Sequence, residues 1–251
     1  MALLDHIERG IQHKPRRVLL YGVHGIGKSS FGASAPQAIF LPTEDGLSNI
    51  DCARFPLARS YDEVMTALME LYSEPHDFQT VVIDSADWLE RLIWAHVCRT
   101  RSKEAIEDFG YGKGYTYALD PWRDVLNGLD ALRNERRMLV ILLAHAKIER
   151  FENPETEAYD RYSPRLNKHA SAIIQDWCDE VLFATYKVHT KQTDEGFDRT
   201  RTRGIGTGDR ILRTTERPAH VAKNRLGLPE ELPLDYAAYA HYLNPAANEA
   251  A

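Results

Sequence analysis

Between residues 17 and 33 a β-prone run, Arg17-Val18-Leu19-Leu20-Tyr21, turns through Gly22-Val23-His24-Gly25-Ile26-Gly27-Lys28-Ser29 into Ser30-Phe31-Gly32-Ala33, a segment able to start a helix. The spacing is G-x-x-x-x-G-K-[ST], the nucleoside-triphosphate P-loop, which needs a strand before it and a helix after it. Gly22 and Gly27 let the backbone turn where a Cβ would clash. The successive N–H groups of Gly22, Val23, His24, Gly25, Ile26, Gly27, Lys28, Ser29 and Ser30 can then close round a phosphate. The start of the helix presents its positive end to the same anion. Lys28 reaches the outer phosphates as a point charge, and the Ser29 hydroxyl is a ligand for Mg²⁺. A glycine-rich turn matching by accident is the alternative, and the strand-before, helix-after context speaks against it.

The chain has 251 residues, 43% of them hydrophobic, enough for one substantial core. A single α/β domain over residues 1–251, with its core at about 16–242, is expected. The formal net charge of -6 means that any contact with nucleic acid has to come from local basic patches rather than the global field. Cys52, Cys98 and Cys178 form no C-x-x-C pair, which fits reduced thiols in a cytoplasmic protein. No signal peptide is evident at Met1 to His6, and the apolar run Met138 to Ala146 is too short to span a bilayer. A soluble, intracellular protein with no membrane partner is the expectation.

After the turn, Ala38 to Pro42 reads as a second strand ending in Thr43-Glu44-Asp45-Gly46. An acid at the C-terminal end of a strand in an α/β sheet faces the crevice where ligands bind, although a solvated turn acid reads the same way. Val64, Leu68, Leu71 and Tyr72 give a helix over 61–72. Phe78 to Ser85 reads as a strand buried on both faces and closed by Asp84, which, with the P-loop upstream, is placed to hold the Mg²⁺ water shell. A helix over 87–97 then precedes a stretch, 99–118, in which Arg99, Arg101, Lys103, Tyr111, Lys113 and Tyr115 alternate with glycines. Basic groups that track a backbone, interleaved with aromatic faces for bases, suit single-stranded nucleic acid. A flexible loop whose aromatics pack back on the domain is the other reading.

Asp120-Pro121 supplies an N-cap and a first-turn proline for a helix carrying Trp122, Val125, Leu126, Leu129 and Leu132. Met138 to Ala144 reads as the next buried strand, ending at His145, which is either a structural histidine or, beside Asp84 and Glu44, a γ-phosphate sensor. Residues 147–165 read as a long polar loop carrying Lys147, Arg150 and Phe151. A helix at Ala172 to Trp177 and a strand at Cys178 to Ala184 follow. The run from Arg199 to Arg217 is rich in arginine, a solvated face by default, with a hairpin turn expected at Gly204 to Asp209. His220 to Pro229 is expected to close the sheet, a short helix to cover 235–242, and 244–251 to fray.

In this order the pieces resemble a RecA/RadA-type core ATPase, and more narrowly the minimal phage nucleotide-binding proteins that act as single-strand annealing recombinases. The resemblance covers roughly residues 16–242. It rests on the P-loop, on Glu44 after the second strand, on Val81-Val82-Ile83-Asp84-Ser85, and on Lys223-Asn224-Arg225-Leu226-Gly227. The last is similar to the K-N-R-F-G motif of RadA, with Leu226 where an aromatic is usual; Asp108 to Tyr115 also looks like the phage group. The resemblance implies a RecA-like P-loop fold, a central mostly parallel sheet flanked by helices with a C-terminal antiparallel hairpin. By position it implies ATP and Mg²⁺ held by Lys28, Ser29 and Asp84, and Glu44 polarising the attacking water. His145 would stand where such proteins usually have a glutamine. Lys223 and Arg225 would reach into a neighbouring subunit's nucleotide, in keeping with phosphoryl transfer being a matter of positioning and charge neutralisation. Segments 99–118 and 147–168 lie where that family has its two DNA-binding loops.

The implied partners are single-stranded DNA, further copies of the chain in a ring or filament, and a single-strand-binding protein; the implied place is the cytoplasm, the host's if the chain is phage-encoded. A RecA-fold helicase-like motor or loader is the alternative function, and a P-loop small-molecule kinase a further one, with Arg199 to Arg217 able to imitate a lid. A GTPase is disfavoured by the lack of an N-K-x-D base-reading motif.

Overall fold

The computed structural model of the chain describes residues 3–7, 9–10, 12–194 and 200–243. Strand β1 (Arg17–Gly22) runs into the glycine-rich turn and out into helix α1 (Lys28–Ala33). β2 (Ala38–Pro42), the two-residue β3 (Ala53–Arg54), α2 (Tyr61–Ser73), β4 (Thr80–Asp84) and α3 (Ala86–Thr100) follow. Helices α4 (Lys113–Tyr117) and α5 (Leu119–Glu135) lead to β5 (Leu139–Phe151), β6 (Tyr159–Pro164) and α6 (Lys168–Trp177). Last come β7 (Glu180–Asp194), β8 (Thr200–Arg213), β9 (Lys223–Asn224), β10 (Glu231–Pro233) and α7 (Tyr236–Ala240).

Among the described residues one sheet runs in the order β10-β8-β7-β1-β5-β4-β2-β3, with β6 on β5 and β9 on β7 beside that path. From β7 to β3 every neighbouring pair is parallel, while β8 and β10 are added antiparallel. This is the expected α/β class, a mostly parallel central sheet with an antiparallel C-terminal extension. Alternation along β1 explains the two layers: Leu19 and Tyr21 face one core and Val18 and Leu20 the other, all four fully buried. The first core takes α2, α3, α5 and α6; the second takes α1 and α7. On α5, Trp122, Val125, Leu126, Leu129 and Leu132 recur at helical spacing and are all buried, each worth about 1.5–3 kcal/mol of transfer free energy.

Several expectations change at the edges. β5 does not end at His145 but runs on to Phe151 and folds back on β6, with Lys147 opposite Ser163 and Phe151 opposite Tyr159, so 147–165 is mainly a β-hairpin rather than a loop. Segment 99–118 is not a flexible loop: a 3₁₀ turn (Ile106–Phe109) and α4 fold it, and Ile106, Phe109, Tyr115 and Tyr117 pack on the first core. The N-cap of α5 is Ala118, with Asp120 already in the first turn. Gly204 to Asp209 lies within β8, where Gly204, Ile205 and Gly206 pair with β7, so it is not the expected hairpin turn; Arg199 and the other residues between β7 and β8 are outside the described residues. Of His220 to Pro229 only Lys223–Asn224 forms a strand of the sheet, with His220 bridging to Tyr162 of β6, and β10 forms that edge instead. The expected frayed end, 244–251, is also outside the described residues.

Candidate active site

Parallel register brings the candidate residues to one edge. Gly22 at the end of β1 lies opposite His145 on β5 and Ala184 on β7, while Asp84 at the end of β4 lies opposite Leu143 and Pro42. Glu44 follows β2 by two residues, and the N–H groups of Thr43 and Glu44 both donate to the Asp84 carbonyl, at 2.8 and 3.3 Å. The Thr43 hydroxyl ties the same turn down by donating to the Ser85 carbonyl at 2.7 Å. P-loop, Asp84, Glu44 and His145 therefore share the C-terminal edge of the sheet, as the sequence predicts.

The P-loop is pinned by Ile26, which is fully buried in the second core. Gly27 adopts φ 111°, a left-handed conformation that an L side chain would strain, and a Cβ on Gly22 would collide with the Ala184 carbonyl oxygen. The N-terminus of α1 has no side-chain cap. Lys28 is buried, and its ammonium donates to the carbonyls of Gly22 at 3.3 Å and Val23 at 3.1 Å. Among the described residues no carboxylate lies within ion-pair distance of it. Burial lowers its pKa, with Asp84 pulling the other way. The Ser29 hydroxyl donates to Asp84 Oδ2 at 2.7 Å, and burial raises the Asp84 pKa despite that bond. A buried cation without a counter-ion, uncapped amides and a hydroxyl–carboxylate pair are the donor set that a triphosphate and Mg²⁺ require, so the residues fit both.

Behind this lies a layer that no local sequence pattern marks. The His145 N–H donates to Asp87 Oδ1 at 3.0 Å, and His145 Nδ1 lies 3.1 Å from Asp87 Oδ2 and 3.8 Å from Glu44 Oε1. Arg165, just after β6, donates from Nε to Asp87 Oδ2 at 3.0 Å. Burial opposes the Asp87 charge, but the hydrogen bonds from His145 and Arg165 outweigh it and hold its pKa below the usual carboxylate range. One turn further along α3, Glu90 accepts the Asn167 N–H, and burial pushes its carboxyl up to about 7. From β8, Arg210 reaches the P-loop, donating to the Ile26 carbonyl at 3.3 Å and lying over Gly27. Arg210 stands in the arginine run noted above; nothing local in the sequence marks Asp87, Glu90 or Arg165 as partners of the site.

Ser30 lies on α1 and His24 is an exposed residue of the turn. Lys223 and Arg225 are at the other edge of the sheet. Lys223 sits opposite Val181 near the start of β7 and donates to the carbonyls of Gln175 and Asp176, and Arg225 lies 3.6 Å from Asp179. Neither can reach the P-loop of its own chain. Of the predicted nucleic-acid residues, Arg99 pairs with Asp62, Arg101 stacks on Tyr117, and the Tyr115 hydroxyl donates to Glu107. Lys147 pairs with Glu149, Arg150 with Glu152, and Phe151 lies under Arg161. Lys103, Lys113 and the fully exposed Tyr111 face solvent. Among the described residues no helix is long and apolar enough to cross a membrane.

The sequence model of a family described as AAA domain matches residues 14–226. The SPbeta prophage-derived uncharacterized protein YorG of Bacillus subtilis (strain 168) is 24% identical over 183 residues, which cover 70% of this chain and 52% of that protein. The chain thus spans about half the length of the curated relative it matches. The crystal structure of the RadB recombinase superposes with a TM-score of 0.49 at 13% identity, covering 88% of this chain and 86% of that one.

Proposed function

The chain belongs to the AAA domain family, and on that premise we propose that it is an ATP-hydrolysing, self-assembling protein that binds single-stranded DNA for annealing or recombination. The observation that carries the nucleotide half is the buried Lys28, which among the described residues has no carboxylate within ion-pair distance, beside the Ser29–Asp84 pair. In this reading the P-loop amides and Lys28 grip the triphosphate, and Ser29 and Asp84 hold Mg²⁺. When bound, the ion neutralises charge on the phosphate oxygens. Glu44 orients the attacking water and takes up its proton, while His145, fixed by Asp87, stands beside Glu44. Lys223 and Arg225, being remote from their own P-loop, act on the nucleotide of another copy, in a ring or filament. The prophage origin of YorG supports a phage protein at work in the host cytoplasm, where single-stranded DNA and a single-strand-binding protein are at hand.

The test is the rate of ATP turnover with and without single-stranded DNA, across protein concentration and salt. Turnover that rises with DNA, rises more than proportionally with protein and falls with salt is expected. Turnover indifferent to all three contradicts the DNA and assembly parts; no turnover under any condition contradicts the ATPase.

A second reading, phosphoryl transfer to a small acceptor, draws on a cavity of about 180 Å³ beside Glu44, lined by Ser48, Arg54 and Phe55 among others. ATP turnover that appears only with a small hydroxyl-bearing acceptor would favour it.

A further inference from the structure

The Nδ1 atom of His145 lies 3.1 Å from Asp87 Oδ2, 3.8 Å from Glu44 Oε1 and 3.1 Å from Nη2 of Arg165. Its ring stacks on His24 of the P-loop, and its backbone pairs with Gly22 at the end of β1. A carboxylate needs a proton from Nδ1, whereas a guanidinium needs a lone pair there. The neighbours therefore pull the imidazole toward opposite tautomers.

Asp87 has the stronger claim. It lies in the first turn of α3, where the helix dipole favours a negative charge, and its side chain is only 2% exposed. The His145 N–H donates to Oδ1 at 3.0 Å, and Arg165 donates to Oδ2 from both Nε and Nη2. Burial opposes the charge, but these bonds keep the carboxyl ionised. An ionised carboxylate only accepts, so its contact with Nδ1 is a hydrogen bond when the ring supplies the proton. The Arg165 donors are already directed to Asp87 and need nothing from the ring. A buried carboxylate behind a histidine fixes the tautomer in this way.

That choice constrains what His145 can do beside a triphosphate. A neutral imidazole with its proton on Nδ1 has a lone pair at Nε2, and a phosphate oxygen offers only lone pairs as well. The ring becomes a donor to phosphate only with a second proton, on Nε2. The surrounding charges suit that state. Asp87 and Glu44 both face the ring, and Arg165 is paired to Asp87. Lys28 is turned to the carbonyls of Gly22 and Val23. His24 is the ring of the stack that stays neutral, repulsion from His145 and, less, burial lowering its pKa.

We propose that Asp87 is a positioning residue of the ATP reaction: it keeps a proton on His145 Nδ1, so that the ring meets the outer phosphate as an imidazolium donating from Nε2. The second proton comes from water as the charge of the triphosphate arrives and returns to water when phosphate departs. The cation is present while the triphosphate is, and stabilises the charge that develops on it. The inference rests on the reading that the chain hydrolyses ATP at the P-loop, and adds Asp87, with Arg165 as its counter-ion, to that machinery.

The experiment records the ¹⁵N shifts of the His145 ring at neutral pH, in the ATP-free chain and with Mg²⁺ and a non-hydrolysable ATP analogue. The signal is identified by its absence in His145→Gln. The ATP-free chain is expected to show Nδ1 protonated and Nε2 not; with the analogue both nitrogens carry protons. In ATP-free Asp87→Asn the proton is expected on Nε2, with Arg165 left to donate to Nδ1. Asp87→Asn should lower kcat about tenfold or more and leave KM for ATP within about twofold. In the His145→Gln chain, whose amide donates without help from Asp87, the same substitution should change kcat less than about twofold. An unprotonated Nδ1 in the ATP-free wild type, or a neutral ring with the analogue bound, overturns the proposal, whether or not Asp87→Asn folds. An equal loss of kcat in both backgrounds also overturns it, because a merely structural carboxylate behaves so. A wild-type chain that shows the ATP-free pattern but neither binds the analogue nor hydrolyses ATP overturns the nucleotide reading, and with it the role of Asp87 in turnover, while its hold on the ring stands.

Discussion

The imidazole rings of His24 and His145 lie stacked with their centroids 4.2 Å apart, so a P-loop side chain rests on the residue that stands between Glu44 and Asp87. Any change in the charge of one ring is felt by the other, which ties the loop to the layer behind it.

Repulsion from His145 and, less, burial lower the His24 pKa. The folded chain therefore binds fewer protons than the unfolded one below about pH 6.5, and stability from the neutral ring is present above that pH and lost as pH falls. His24→Asn should flatten the pH dependence of stability between about pH 7 and 5 in denaturant melts. An unchanged slope would mean that the stacking has no energetic consequence.

Arg210 lies over Gly27 from the C-terminal hairpin, at the point where a triphosphate would sit. Arg210→Ala should weaken ATP binding about three- to tenfold, the worth of one charge-assisted contact. As an exposed side chain it should leave stability within about 0.5 kcal/mol of wild type. Equal ATP affinity in the two proteins by calorimetry would remove Arg210 from the site.

Glu90 offers a second pH test of opposite sign. Burial raises its carboxyl to about 7, above its ordinary value, so the stability it contributes is complete below about pH 4.5 and lost as pH rises through the folded value. Glu90→Gln keeps an acceptor for the Asn167 N–H and has no charge to bury. Its stability relative to wild type should rise between about pH 4.5 and 8, by at most about 3 kcal/mol. A difference that does not vary with pH would show that Glu90 is already ionised without cost.

Much of this arrangement was legible in the chain. The P-loop, β2 and the Ile83-Asp84 strand end were readable because buried parallel strands are short apolar runs closed by polar residues, and all three lie where expected. The β5–β6 hairpin is not legible in the chain because, beyond the core, its residues such as Lys147, Glu149 and Arg161 are charged and no apolar run marks them. The Asp87–Arg165 pair joins residues far apart in sequence, and no local pattern announces it. In 99–118 the same aromatics suit base stacking or inward packing, and only tertiary contacts such as Trp94 against Tyr115 decide between them.

Arg225, at the far edge of the sheet, can serve catalysis only across an interface. Arg225→Ala and Glu44→Ala should each turn over little ATP alone and partly recover when mixed, because a mixed assembly contains sites with both groups intact. No recovery at any mixing ratio would count against action in trans.

The most direct test is equilibrium binding of ATP with Mg²⁺ to the wild-type chain and to Lys28→Ala, followed by melting of both proteins. Saturable binding by wild type, its loss in the variant, and a melting temperature no lower in the variant are expected, since the substitution removes a buried cation whose burial already disfavours its charge and which, among the described residues, has no carboxylate within ion-pair distance. Equal ATP affinity in the two proteins, or none in wild type, would contradict a triphosphate site at Gly22 to Ser29.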